Sequence, residues 1–198
     1  MMSRSLHLLW LPCLLLGACS TPEVLQLRDG TVPTGTDLSG SWMLREIDPS
    51  DRRRMAQAMG DSRGASTADL YRSSREAHSK IRSKRSRNSG LVYVFLETGK
   101  ALKITQTPYA LFISFDRSVV EEFRFGEMRM ISIGEIEAQR VTGWEGRQLV
   151  VETLDKDGMK LTERFDLADG GKTLHRQITF RTKKLEEETI VQVFDKAD

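Results

Sequence analysis

The sequence has 198 residues, of which 39% are hydrophobic and 29% are charged, and its formal net charge is +2. These values are typical of one globular domain that is long enough to bury a sizeable core. Only two cysteines are present, Cys13 and Cys19, and both lie in an apolar run near the start. A domain stabilised by a framework of disulfides is therefore excluded.

The first residues have the organisation of a secretory signal peptide. Residues 1–5 carry Arg4 and no acid, residues 6–16 are almost wholly apolar, and small residues follow. A short basic start, an apolar core and a small-residue cleavage site define such a signal. The apolar stretch is shorter than the roughly 20 residues that a membrane-spanning helix needs. We therefore assign residues 1–18 to a signal peptide.

The end of this signal resembles the lipobox of bacterial lipoproteins. Leu16-Gly17-Ala18-Cys19 has the leucine, two small residues and cysteine of that motif in consecutive positions. The resemblance implies cleavage before Cys19, attachment of diacylglycerol to its thiol and a membrane as partner. Ser20, in place of aspartate, favours the outer membrane with the domain facing the periplasm. The alternative is a plain export signal in which Cys19 is incidental.

The chain after the signal divides into a tether, a domain and an insertion. Residues 19–37 contain several Thr, Pro and Gly residues and are predicted to form a lipidated flexible tether. Residues 38–198 form the domain, which begins with a strand in 38–48, and residues 49–90 form an insertion after that strand.

The insertion is basic. Residues 52–87 contain 11 Lys or Arg and only three acids. Ser50 and Thr67 can cap short helices, but few apolar residues follow, so the pattern predicts marginal helices that fray into a disordered loop. This segment either attracts an anionic surface or is a solvated insertion. Nucleic acid is not a predicted partner, because the stretch lacks aromatic residues interleaved with its basic residues for base stacking. The apolar run at 91–96 is either a strand or the buried end of a helix.

From Gly99 onward the sequence alternates with the period of a β-strand. Asp157-Gly158 and Asp169-Gly170-Gly171 separate several of these segments, and an Asp-Gly pair between alternating segments is a strong hairpin signal. The alternating segments are ALKITQT, ALFISF, EEFRFGE, RQLVVETL, KLTERFDL, TLHRQITF and TIVQVF. The sequence predicts a mainly β fold, an antiparallel meander of about eight or nine strands that forms a barrel or half-barrel.

Two resemblances agree with this fold. Gly40-Ser41-Trp42 resembles the G-x-W motif of lipocalins, which implies that Trp42 closes one end of a ligand-binding barrel and that Arg176 or Arg181 packs over it. Roughly residues 100–180, including ITQTPYALFISFD and LVVETLDKDGMKLTERFDL, are similar to uncharacterised bacterial secreted proteins with a lipocalin-like β-fold. The second resemblance implies a fold and no activity.

No catalytic or metal-binding motif emerges. The chain after the signal has two histidines, His78 and His175, and it lacks H-E-x-x-H, a cysteine cluster, G-x-S-x-G and a glycine-rich phosphate loop. We therefore expect a protein that is not an enzyme and that needs no cofactor or metal.

One group of ionisable residues falls on an otherwise apolar face. A two-residue turn at Asp157-Gly158 places Glu152 opposite Glu163, and a turn at Gly170-Gly171 places Phe165 opposite Arg176. Unpaired buried charge costs several kcal/mol, so Glu152, Glu163 and Arg176 should neutralise one another, with one shared proton. They form either a polar floor that orients a ligand, together with Trp42, or a purely structural network. A register shifted by one residue would instead send all three to solvent.

Two classes of function remain open. The first is a lipid-anchored barrel that binds an apolar or amphipathic small molecule. The second is a structural or assembly protein that contacts an envelope protein or an anionic surface. A cavity lined by the apolar face favours the first class, and a filled interior with an exposed apolar patch favours the second.

Overall fold

The computed structural model describes residues 23–45, 49–50, 94–116, 120–134, 136–181 and 187–197. Their regular structure is almost entirely β. The ten strands are β1 (Gly40–Leu44), β2 (Ala101–Gln106), β3 (Ala110–Phe115), β4 (Glu121–Arg124), β5 (Glu127–Ile133), β6 (Ile136–Glu145), β7 (Gln148–Asp155), β8 (Lys160–Ala168), β9 (Thr173–Arg181) and β10 (Glu187–Lys196).

All ten strands belong to one antiparallel sheet in the order β4-β3-β2-β1-β10-β9-β8-β7-β6-β5. Pairing of β1 with β10 joins the first and last strands, so the meander curls into a barrel. The barrel is not fully closed by hydrogen bonds, because the consecutive strands β4 and β5 lie at the two ends of the sheet order. We call the line between β4 and β5 the seam.

The predicted lipocalin-like β fold is confirmed, with ten strands in place of eight or nine. Strands β5 and β6 are not among the segments that the sequence pattern predicts to be strands. Strand β5 is exposed along most of its length, so it lacks the alternation of apolar residues that marks a half-buried strand. The core inside the barrel is built from alternate residues of the other strands, chiefly large aliphatic and aromatic side chains.

The first described segment, residues 23–30, packs on the outside of the barrel. Leu25 is buried against Val141 of β6 and Leu154 of β7. The backbone of Asp29 accepts a hydrogen bond of 2.8 Å from the amide of Trp144. Gly143 permits this approach, because a Cβ there would lie 2.5 Å from the Asp29 carbonyl oxygen. The expected flexible tether is therefore wrong for the residues from 23 onward, which are held by burial of apolar surface and by backbone pairing.

The turn between β7 and β8 differs from the prediction by one residue. Asp155 and Met159 are joined by a backbone hydrogen bond of 3.0 Å, so the loop has three residues and ends at Gly158, whose φ is +82°. The carboxylate of Asp155 accepts hydrogen bonds of 2.9 Å from the amides of Asp157 and Met159. These bonds favour the three-residue loop with a left-handed glycine over the two-residue turn. As a result Glu152 pairs with Thr162, and the predicted pairing with Glu163 is wrong.

Several sequence predictions fall outside the described residues. They are the signal peptide at 1–18, lipidation of Cys19 and, apart from residues 49 and 50, the basic insertion. Of the ambiguous run at 91–96, Val94 and Phe95 have 3-10 helical conformation and Leu96 is irregular. No helix among the described residues is long and apolar enough to span a membrane.

Candidate functional site

Arg176 on β9 is the centre of a buried polar network inside the barrel. Its side chain is 1% exposed, and its Nε donates a hydrogen bond of 2.8 Å to Glu163 on β8. A second guanidinium nitrogen donates to the same Glu163 oxygen, and Nη1 donates to Gln192 on β10 at 3.0 Å. The predicted pairing of Phe165 with Arg176 is confirmed, and Glu163 pairs with Ile178 in the same register. The structure thus brings Arg176 and Glu163 together, as the alternation around Gly170-Gly171 indicates.

Aromatic rings enclose the Arg176 guanidinium. Its Cζ lies 4.7 Å from the ring centroid of Phe115 and 5.6 Å from that of Phe165. Cation–π attraction at such distances adds to the ion pair with Glu163 when both groups are desolvated. The site is therefore a buried charge pair whose polar groups have partners.

Glu152 lies apart from this network, on the outer face of β7. It accepts a hydrogen bond of 2.7 Å from Arg28 and forms an ion pair with Lys160. Burial opposes ionisation of this carboxyl, but the hydrogen bonds from Lys160 and Arg28 hold its pKa below the ordinary value. The expected cluster of Glu152, Glu163 and Arg176 on one face is therefore wrong for Glu152, because of the shifted β7–β8 register.

Trp42 is 1% exposed and belongs to the main core cluster. Its indole N–H donates a hydrogen bond of 3.2 Å to the Leu38 carbonyl. The cation over its ring is Lys196, whose ammonium lies 5.5 Å from the ring centroid. The expectation that Arg176 or Arg181 packs there is wrong, since β10 is the neighbour of β1 and places Lys196 directly opposite Trp42.

A second buried arginine, Arg140 on β6, was missed by the sequence reading. Arg140 is 5% exposed, its Nε donates a hydrogen bond of 3.1 Å to Thr153, and its Nη1 pairs with Glu121 across the seam. Its Cζ lies 5.0 Å from the Phe123 ring centroid and 5.8 Å from that of Phe95.

The turn at Gly146-Arg147 could have located this residue. A two-residue turn there pairs Glu145 with Gln148 and therefore Arg140 with Thr153, as the structure has them. The sequence pattern of this stretch therefore contains the register that places Arg140 opposite Thr153.

One donor of Arg140 is not used. Its Nη2 is buried and has no hydrogen-bond partner among the described residues. A buried guanidinium N–H without an acceptor costs roughly 1–3 kcal/mol or more, so such a group is uncommon in a folded core. At this position the barrel therefore offers a buried hydrogen-bond donor.

Glu97 adds a titrating carboxyl to the same region. Its backbone carbonyl accepts a hydrogen bond of 3.0 Å from Arg176. Burial, followed by repulsion from Glu121, raises the pKa of the Glu97 carboxyl to about 7, while Arg176 acts in the opposite direction. No signal in the sequence placed Glu97 here, because the residue follows a long insertion and precedes the first recognisable alternation.

The segment that carries Glu97 packs against the core at one end of the barrel. Leu96 is 4% exposed and packs in a second core cluster with side chains of β8, β9, β10 and the β7–β8 loop. Asp116 fixes the segment, because its carboxylate accepts hydrogen bonds from the amides of Lys100 and Ala101. We call this end of the barrel, where β7 connects to β8 and β9 to β10, the mouth end.

Solved structures share this barrel. The chain is similar to secretory abundant heat soluble protein 4 from Ramazzottius varieornatus, with 15% identity and a TM-score of 0.51 over 83% of this chain and 98% of that chain. It is also similar to a REP1-NXSQ fatty acid transporter, with 12% identity and a TM-score of 0.47 over 82% of this chain and 97% of that chain. Fatty-acid-binding protein 1 of Echinococcus granulosus has 13% identity and a TM-score of 0.47 over 81% and 97%.

The first of these likenesses shows the fold alone. The domain is a lipocalin-like β-barrel, as the sequence predicted. Neither a protein-family model nor a curated protein matches the sequence.

Two cavities bounded by described residues open at the ends of the barrel, not within the Arg176 network. One, of about 530 Å³, lies at the mouth end and is lined by residues that include Glu23, Met130 and Lys156. The other, of about 750 Å³, lies at the opposite end beside Asp169 and Lys196. No group of three or more metal-ligating side chains comes together in the part of the chain that the structure describes.

Proposed function

We propose that this protein is a binding protein for a small amphipathic molecule, and that Arg140 binds the molecule's polar group. The observation that carries the proposal is the unpaired Nη2 of Arg140, a buried donor on a guanidinium group whose Cζ lies within 6 Å of two phenylalanine rings. Ligand sites are mostly apolar with a few placed polar groups that fix orientation. An anionic or carbonyl oxygen would satisfy the open donor, and the rings would contact the apolar part.

The seam provides a route to this donor. Strands β4 and β5 share no ladder of hydrogen bonds, and Glu121 and Arg140 connect the two sides through their side chains. The Glu121 side chain is 30% exposed, whereas that of Arg140 is 6% exposed, so the ion pair runs from the surface into the interior. An amphipathic molecule that enters between β4 and β5 would meet Arg140 first among the interior cations.

Arg140→Gln should weaken binding of an anthroyloxy-labelled fatty acid at least tenfold. The charge-assisted hydrogen bond that Arg140 offers to a carboxylate is lost, and tenfold corresponds to about 1.4 kcal/mol. Fluorescence titration of both variants and the wild type measures the effect. Arg129→Gln is the matched control, because Arg129 pairs with Arg140 across β5 and β6 but its side chain is 46% exposed. It should change the dissociation constant less than twofold.

A neutral probe separates recognition of the anion from loss of the fold. The anthroyloxy-labelled fatty alcohol should bind the wild type and Arg140→Gln within threefold of each other. Equal loss of both probes, or equal binding of the fatty acid by both arginine variants, would contradict a role for Arg140 in binding. If the wild type binds neither probe, the assembly function is favoured, and the exposed Met128 and Met130 on β5 are its candidate contact.

We further propose that Cys19 anchors the protein in the outer membrane, as the lipobox and Ser20 imply. Cys19→Ser should abolish incorporation of labelled palmitate and leave an unprocessed precursor, because the thiol is the acceptor of diacylglycerol. Metabolic labelling and membrane fractionation check both effects, with Cys13→Ser as the control that should label like the wild type. Equal labelling of Cys19→Ser and the wild type would remove the lipid anchor from the proposal.

A further inference from the structure

The chain contacts the barrel from Glu23 onward, four residues after Cys19. Glu23 forms an ion pair with Arg181, and its carboxylate lies 3.8 Å from the ammonium of Lys160. Two residues later Leu25 is only 3% exposed against the outer face of β6 and β7. The N-terminal segment is therefore fixed to the barrel from its first described residues.

The contacts of Glu23 with Arg181 and Lys160 lie at the mouth end. Lys160 is the first residue of β8 and Arg181 is the last residue of β9, and the two are paired in the sheet. Glu23 also lines the cavity at the β7–β8 loop, beside Lys156. The opposite end, which carries Lys172 in the β8–β9 connection, lies a whole strand away. Strand β9 has nine residues, so this separation is about 27 Å along the strand.

The length of chain between Cys19 and Glu23 then limits how far the mouth end can be from a lipid attached to Cys19. Four residues span at most about 14 Å when fully extended. The opposite end could reach the same lipid only if the chain were released from Lys160, Arg181 and the Leu25 pocket. The short chain between Cys19 and Glu23 therefore keeps the mouth end close to a lipid attached to Cys19, and not the opposite end.

We propose that the barrel rests with its mouth end against the surface of a phospholipid bilayer, an arrangement that depends on the proposed lipidation of Cys19. The end at which Leu96 and its apolar cluster pack, and at which Glu97 lies, then faces the lipid. An amphipathic molecule that leaves the bilayer would have a short path to the barrel, while Trp42 and the opposite end face away from the membrane.

Two spin-labelled variants test this orientation. Lys156→Cys and Lys172→Cys place a thiol on exposed lysines in turns at opposite ends of the barrel. The lipidated full-length protein is purified from membranes, labelled with a nitroxide and reconstituted in vesicles of phosphatidylethanolamine and phosphatidylglycerol that contain a nickel-chelating lipid. Relaxation of the label at 156 should be enhanced at least threefold more than at 172. Equal enhancement, or a larger value at 172, would overturn the orientation.

Flotation of the same vesicles separates the two proposals. Protein that does not float with the vesicles would overturn both the anchor and the orientation, whereas protein that floats but shows equal enhancement would overturn the orientation only. A third variant inserts twenty Gly and Ser residues after Ser20. The difference between positions 156 and 172 should then fall below 1.5-fold, and an unchanged difference would contradict the short attachment as its cause.

Discussion

Arg176→Leu should lower the free energy of unfolding by about 3–5 kcal/mol at neutral pH. The substitution leaves the carboxylate of Glu163, which is 4% exposed, without its cation, and it removes a donor from Gln192 and from the Glu97 carbonyl. Breaking a buried ion pair by removal of one partner typically costs this much, since an uncompensated charge stays in the core. Urea unfolding of a chain that begins at Ser20 measures the loss.

Neutralising Glu163 should recover much of that loss. In the double variant Arg176→Leu with Glu163→Gln no unpaired charge remains buried, so we expect at least half of the stability to return. Glu152→Gln should rescue nothing, because Glu152 lies on the outer face with Arg28 and Lys160. Arg164→Leu is the matched control, an arginine of β8 whose side chain is 27% exposed, and it should cost less than about 1 kcal/mol. A loss below 1 kcal/mol in Arg176→Leu itself would show that the network does not stabilise the barrel.

The β8–β9 half of this network was predictable because local signals agree there. Apart from Glu163 and Arg176 themselves, apolar and polar residues alternate along both strands, and the glycines at 170 and 171 have positive φ values of 64° and 87°. Turn and alternation therefore give one register, which places Glu163 and Arg176 inside with Phe165. When the side-chain period is two, a register fixed by the turn also fixes the face of every residue.

The same logic failed at β7–β8, where a buried side chain decides the loop. Asp157-Gly158 is a strong two-residue hairpin signal, but Asp155 captures two amides of the loop with its carboxylate and makes the loop one residue longer. The alternation of β7 offered no correction, because residues 149–155 are buried on both faces. Residues 23–30 cover the outer face of β7. The local sequence pattern predicts neither this packing nor the requirement for glycine at 143, where the Asp29 carbonyl approaches.

The position of the segment around Glu97 could not be predicted from the sequence, for a related reason. Leu96 and Glu97 contact residues of β8, β9 and β10 that lie more than sixty positions later in the chain. The hydrophobicity of the run at 91–96 predicts that it is buried, but it does not identify the residues against which it packs. Only the curled sheet brings Glu97, Glu121 and Arg176 within reach of one another.

Glu97 should make the barrel less stable as the pH rises from about 4.5 to 7. Its carboxyl has a pKa of about 7 in the folded protein, against an ordinary value of 4.5, chiefly because burial disfavours the charged form. Between these values the folded chain holds a proton that the unfolded chain has lost, so the stabilisation is fully present below pH 4.5 and is lost as the pH passes 7. The whole shift corresponds to about 3 kcal/mol, and solvent screening at this half-buried group reduces it to about 1–2 kcal/mol.

Glu97→Gln should remove this pH dependence, because the amide mimics the protonated carboxyl at every pH. The variant should match the wild type at pH 4.5 and exceed its free energy of unfolding by about 1–2 kcal/mol at pH 8. Urea unfolding of both proteins from pH 4.5 to 8 gives the difference, and Glu127→Gln on the exposed β5 should follow the wild-type profile. A difference that stays constant with pH would mean that Glu97 does not titrate in this range. A difference that grows with pH would mean that the folded barrel prefers Glu97 neutral. The positive charges of Arg140 and Arg176 would then be neutralised by the carboxylates of Glu121 and Glu163, without a contribution from Glu97.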